Sequence, residues 1–94
     1  MTPNNVIYRI HALRRMVERA ISADDVREVL TAREVIEDYP NDTPYPSRLV
    51  LGWRGSRPIH VVAAENAADQ ETIVITVYEP DPALWAPDFR RRLP

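Results

Sequence analysis

The sequence predicts an α+β domain in which two N-terminal helices pack on one face of a three- to four-stranded antiparallel sheet. Apolar side chains recur at helical spacing over residues 11–32, whereas residues 34–78 contain runs rich in β-branched side chains. Short connections separate these runs, and they predict antiparallel pairing because parallel strands need a long crossover. The two helices are the available cover for one face of such a sheet.

The helical region divides at Ser22. In the first helix, over residues 11–20, the predicted buried stripe consists of Ala12, Leu13, Met16, Val17 and Ala20. Ser22 is a typical N-cap for a second helix over residues 23–32, because Asp24 and Asp25 follow it in the first turn, where carboxylates suit the helix dipole.

The second half of the chain alternates strands and breakers. Strands are predicted at residues 34–39, 47–54, 58–64 and 72–78. Prolines at 40, 44 and 46 separate the first two, since proline fits neither a helix interior nor a central strand. The apolar run at 58–64 indicates a central strand buried on more than one face. Residues 6–10 predict an edge strand that leads into the first helix, and the C-terminal tail is expected to contain one helical turn.

Length and composition set limits on the class of protein. A chain of 94 residues with 45% hydrophobic and 28% charged side chains indicates a single soluble domain over residues 1–94. No apolar run approaches the roughly 18 residues of a membrane span, and no signal segment opens the chain, so we expect a cytoplasmic protein without a membrane partner. The absence of cysteine excludes disulfides and thiol chemistry, and two histidines argue against a metal site. We expect no cofactor.

The charge balance gives no general attraction to nucleic acid, because the formal net charge is -2. All twelve basic residues are arginine, which binds phosphate well through its planar fork of donors. A GC-rich coding bias explains the same choice, and the sequence leaves both explanations open.

The first helix carries a candidate site opposite its apolar stripe. His11, Arg15 and Arg19 follow one another at intervals of four residues and therefore form one row. Arginines at this spacing suit successive phosphates, and an imidazole suits proton transfer near neutral pH. The alternative is an ordinary solvated row on a surface helix. Glu18, four residues after Arg14, is expected to form an ion pair with it.

His60 is a second candidate because it interrupts an otherwise apolar strand. A buried imidazole without a partner costs about 1–3 kcal/mol, so His60 is either a hydrogen-bonded core residue or part of a cleft. The sheet face that it occupies depends on strand register, which the sequence leaves open. Tyr78 and Arg48, at strand ends, are further candidates for such a cleft.

The motifs resemble a small bacterial family, domain of unknown function 4258. The matching segments are YRIHALRRMVERAISADDV at 8–26, EVIEDYP at 34–40, PYPSRLVLG at 44–52, PIHVVAA at 58–64 and TVYEPDPALW at 76–85. The order of elements is in turn similar to the RelE/ParE-like toxin superfamily, especially its BrnT-type members. This resemblance implies a small ribonuclease or toxin that an antitoxin-like protein neutralises. The histidine and arginine pattern of the family would fall on His11, Arg15 and Arg19, with His60 as the second imidazole.

These residues lead to two functional hypotheses. The first is a metal-independent endoribonuclease, in which His11 and His60 transfer protons, with Tyr78 as a further catalytic candidate. In it Arg15, Arg19 and Arg48 bind RNA phosphate, and Arg15 also stabilises charge in the reaction. It requires both imidazoles to face one groove. The second hypothesis is a non-catalytic module of the same fold that binds a protein or a nucleic acid. RNA and an antitoxin-like protein are the corresponding partners.

Overall fold

The computed structural model describes residues 5–94, which form two helices and one five-stranded mixed sheet. The elements are β1 (Asn5–Tyr8), α1 (Ile10–Arg19), α2 (Ala23–Ala32), β2 (Glu34–Tyr39), β3 (Ser47–Arg54), β4 (Arg57–Asn66) and β5 (Glu71–Tyr78). The order across the sheet is β1-β5-β4-β3-β2, and β1 runs parallel to β5 while the other neighbours are antiparallel. Neither helix of this part of the chain is long and apolar enough to cross a bilayer.

The α+β class and the two helices are as predicted, but a purely antiparallel sheet of three or four strands is not. The difference comes from β1, which adds a fifth strand beside β5, with Ile7 opposite Ile73. The short connections of residues 34–78 specify antiparallel neighbours, whereas β1 and β5 are separated by nearly the whole domain. That separation supplies the crossover that parallel pairing needs.

Local interactions determine where the helices begin and end. The hydroxyl of Ser22 accepts a hydrogen bond from the backbone N–H of Asp25 at 3.0 Å, and the Asp25 carboxylate accepts one from the Ser22 N–H at 3.0 Å. This reciprocal capping box starts α2 as predicted. α1 ends at Ala20, which has a left-handed conformation. The guanidinium of Arg57 donates to the carbonyls of Arg19 and Ala20, where a cation suits the helix C-terminus.

The first hydrophobic layer lies between the helices and the sheet. Its buried members are Ala12, Met16, Ile21, Val26, Val29, Leu30, Val50, Ile59, Val61, Ala63, Val74 and Val77. α1 packs mainly against β5, whereas α2 packs against β3 and β4. The two helices are therefore held by different strands of the same sheet.

The opposite face of the sheet is covered by residues 80–94, which we call the C-terminal segment. Trp85 and Ala86 are buried there, and Arg90 and Arg92 form ion pairs with Glu34 and Glu37 of β2. The Asp81 carbonyl accepts hydrogen bonds from the N–H groups of Leu84 (2.9 Å) and Trp85 (3.1 Å), and the second of these closes the single helical turn that the sequence predicted for the tail. Strand β4 is thus central and buried on both faces, as its apolar run predicted.

Close approach of α2 to β3 depends on Gly52. A Cβ atom at this position would lie 2.6 Å from Cγ2 and 2.9 Å from Cα of Val29. We expect Gly52→Ala to lower the free energy of unfolding by about 1–3 kcal/mol, because α2 must shift to relieve the overlap. Urea denaturation measures the loss, with Ser56→Ala in the exposed turn as the control.

A double-mutant cycle identifies the cause. Val29→Ala removes the nearest overlapping atom, so it should cost less in the Gly52→Ala background than in the wild type. Additive effects of the two substitutions would show that the overlap with the Cγ2 methyl of Val29 is not what destabilises the variant.

Candidate functional site

The predicted site residues fall in three separate places. His60 and Tyr78 lie in a buried cluster beneath the C-terminal segment, His11, Arg15 and Arg19 lie on α1, and Arg48 lines a cavity near the end of α2. The first place is buried, the second is an exposed helix surface and the third is a cavity, so they are described separately below.

His60 is completely buried and both of its ring nitrogens have partners. Nε2 lies 2.9 Å from the carbonyl oxygen of Phe89, and Nδ1 lies 3.2 Å from the hydroxyl of Tyr78. A carbonyl only accepts, so Nε2 carries the proton and Nδ1 accepts from the Tyr78 O–H. The Trp85 ring stands edge-on at 4.5 Å between centroids. This geometry describes a neutral, hydrogen-bonded core histidine.

Burial determines the charge state of this cluster. It lowers the pKa of His60, although the hydrogen bond to Phe89 and the charge of Glu37 act in the opposite direction. Burial also raises the pKa of Tyr78. Both groups are therefore neutral at pH 7, which is the state that their hydrogen bond requires.

A second polar network lies beside this cluster on β2. The hydrogen bond from Arg92, 2.9 Å from Glu37, is the main reason that the pKa of Glu37 is lowered. Tyr39 donates to the same carboxylate, and burial together with that bond raises the pKa of Tyr39 to about 12. These contacts hold the C-terminal segment against β2. They do not form the cleft that was one of the two predicted environments of His60.

His11 and His60 lie on different sides of the sheet. His11 is exposed on α1, and α1 packs on the face of the sheet that both helices cover. His60 occupies the opposite face, since it pairs with Leu51 and Tyr78, whereas its neighbours Ile59 and Val61 belong to the layer beneath the helices. The structure therefore does not bring the two imidazoles into one groove, and it answers the question of which face carries His60.

The exposed surface of α1 has an apolar side that the sequence did not predict. Leu13 and Val17, expected to be buried, are 45% and 83% exposed, and Ile10 is 68% exposed. Only Ala12 and Met16 of the predicted stripe are buried, because α1 packs mainly against a single strand, β5. Ile10, Leu13 and Val17 share one side of the helix, and we call them the apolar shoulder.

The basic row lies on the other side of the same helix. His11, Arg15 and Arg19 are spaced four residues apart, and Arg14 falls between this row and the apolar shoulder. The sequence predicted an ion pair between Glu18 and Arg14. In the structure Glu18 instead pairs with Arg15, at 3.6 Å. Among residues 5–94, neither Arg14 nor Arg19 forms a salt bridge.

The third place is a cavity of about 250 Å³ at the C-terminal end of α2, which we call the α2-end cavity. Its lining consists of Leu30, Arg33, Val35, Pro46, Arg48, Val50, Ala63, Glu65, Ala67 and Thr72. Arg48 lies 3.9 Å from Asp38, and Arg33 lies 3.8 Å from Glu65. The sequence pattern did not predict that Arg33 and Arg48 would line the same cavity, because they come from different elements. In the described part of the chain, no group of three acidic or histidine side chains is placed to hold a metal ion.

The lowered pKa of His60 predicts a pH dependence of stability. Below about pH 6.5 the unfolded chain takes up a proton on this imidazole before the folded protein does. The unfolded state is therefore favoured as the pH falls, and the free energy of unfolding should decrease from pH 7.5 toward pH 5.5. One histidine contributes a slope of at most about 1.4 kcal/mol per pH unit. Denaturation at several pH values measures it.

Two variants separate the imidazole from general destabilisation. His60→Gln should lower stability at every pH and flatten the slope, whereas Val61→Ala on the same strand should lower stability but keep the slope. If the free energy of unfolding of His60→Gln depended on pH as steeply as that of the wild type, the pH dependence would not come from the His60 imidazole.

No curated protein and no solved structure shows significant similarity to the chain. A family model, described as a domain of unknown function (DUF4258), matches residues 8–79, which reach from the end of β1 to the residue after β5. The match includes His11, Arg48 and His60 and ends just before the C-terminal segment. The chain belongs to the DUF4258 family.

Proposed function

We propose that this domain is a protein-binding module that presents the apolar shoulder of α1 to an acidic segment of a partner protein. The observation that carries the proposal is the exposure of Ile10, Leu13 and Val17 along one side of a single helix. Contiguous exposed apolar side chains are typical of interaction sites.

The aliphatic character of the shoulder favours a protein partner over a nucleic acid. Burying a large aliphatic side chain contributes about 1.5–3 kcal/mol, which a partner with apolar side chains can provide. A phosphate backbone offers no such surface, and its binding relies on clustered positive charge. The formal net charge of -2 provides little long-range attraction for RNA.

The charges beside the shoulder favour an acidic partner. Arg14 borders the shoulder and forms no salt bridge among residues 5–94, so a carboxylate of the partner can pair with it at the rim. An antitoxin-like protein of the kind that the resemblance implies would be one partner of this chemistry.

The RelE/ParE-like toxin assignment and the ribonuclease activity stay predictions. The mechanism with two imidazoles gains no support from the geometry, because His60 is neutral, buried and bonded to Phe89 and Tyr78. The exposed row of His11, Arg15 and Arg19 is accessible to RNA, so nuclease activity and RNA binding are included in the test.

The test begins with photo-crosslinking through a photo-reactive side chain at position 17. The same side chain at position 31, on the exposed side of α2, is the control. A protein captured from position 17 alone is then purified, and its affinity is measured by calorimetry. We expect Val17→Asp to weaken binding at least tenfold, equivalent to about 1.4 kcal/mol, while Thr31→Asp binds like the wild type. Val17 is 83% exposed, so the substitution should leave the unfolding midpoint nearly unchanged.

Two outcomes would overturn the proposal. One is equal affinity of the Val17→Asp variant and the wild type for the purified partner. The other is RNA binding that Arg15→Glu and Arg19→Glu abolish while Val17→Asp preserves it, which would favour a nucleic-acid module. RNA degradation on expression, lost in His11→Ala, would favour the ribonuclease.

A further inference from the structure

A second site lies away from α1, in the α2-end cavity. We propose that this cavity binds a small carboxylate with a short apolar body, the apolar part against the sheet and the carboxylate on Arg48. The inference does not depend on the proposed function, because the cavity and the apolar shoulder share no residue.

The floor and one wall of the cavity are aliphatic. Val50 and Ala63 come from neighbouring strands of the sheet, Leu30 comes from the last turn of α2, and Val35 forms the wall on β2. Leu30, Val50 and Ala63 are 7%, 6% and 7% exposed, so little solvent reaches the floor. Val35 is 43% exposed, and a ligand would cover it. The cavity therefore favours the binding of an apolar group.

The rim of the cavity is charged and mainly positive. Arg33 and Arg48 line it together with one carboxylate, Glu65. An anionic ligand therefore complements the rim better than a cation does. A carboxylate suits arginine in particular, because its two oxygens match two parallel N–H donors of the guanidinium.

Arg48 can bind such a ligand at small cost. Its contact with Asp38 measures 3.9 Å, longer than a hydrogen bond, and the two side chains are 47% and 62% exposed. Ion pairs of this kind contribute about 0–1 kcal/mol. A ligand carboxylate that reaches hydrogen-bonding distance replaces a weak contact by a strong one.

The cavity volume limits the size of the ligand. About 250 Å³ is less than the roughly 300–1,000 Å³ of pockets that enclose drug-sized molecules. A branched chain of a few carbons is therefore the appropriate body, and 4-methylpentanoate is a suitable probe. The same chemistry occurs in a free short-chain acid and at the C-terminus of a peptide that ends in leucine.

The experiment is an NMR titration of the ¹⁵N-labelled chain with 4-methylpentanoate. We expect shifts confined to the amides of the cavity, such as Val35, Val50 and Thr72, with a dissociation constant of about 1 mM. The uncharged 4-methylpentanamide, and acetate, which lacks the body, should each bind at least tenfold more weakly. The peptides Gly-Gly-Leu and Gly-Gly-Leu-amide distinguish the two sources, since a preference for the free peptide carboxylate over 4-methylpentanoate indicates a chain terminus.

Variants test the two halves of the site. Arg48→Gln should weaken binding at least tenfold through loss of the carboxylate contact, and Val35→Glu should abolish it by placing a negative charge on the wall. Arg27→Gln on the exposed side of α2 is the matched control and should bind like the wild type. Equal binding of acid and amide, equal binding of acetate, or shifts outside the cavity would overturn the proposal.

Discussion

The burial of β4 on both faces is the constraint on which the rest of the structure depends. A strand at the centre of the sheet with buried side chains on both sides needs two covers. The helices cover Ile59 and Val61, while the C-terminal segment covers His60. The architecture is therefore a helical layer, a sheet and a partial third layer without regular secondary structure.

His60 connects the third layer to the sheet through its hydrogen bonds. The imidazole donates to a backbone carbonyl of the C-terminal segment and accepts from Tyr78 of β5, so it joins three parts of the chain. A buried polar group is stable only when its partners are present, and for this reason His60 depends on the C-terminal segment remaining in place. The ion pairs of Arg90 and Arg92 with β2 support the same arrangement from its rim.

The accessible surfaces arise where the helical layer is incomplete. α1 lies over β5 near the edge of the sheet, so its outer side has no cover and the apolar shoulder meets solvent. α2 ends before it reaches the far part of β3 and β4, and the space beyond its last turn is the α2-end cavity. Both proposed binding sites are consequences of how two ten-residue helices fit a wider sheet.

The amino-acid sequence by itself determined the elements and their order. Helical periodicity, the Ser22 cap and the prolines after β2 are local signals, and the structure confirms the helices and strands that they predicted. His60 was recognisable as an unusual residue because an imidazole among β-branched neighbours must find partners. Periodicity shows which side chains share a face, but it does not show what covers that face.

Contacts between distant residues decided the rest. Only the tertiary structure placed β1 beside β5, turned His60 toward Trp85 and Phe89, and left Leu13 and Val17 exposed. It also brought Arg33 and Arg48 around one cavity. These outcomes depend on strand pairing and on the position of each helix over the sheet, which come from the packing of the whole chain and leave no local pattern in the sequence.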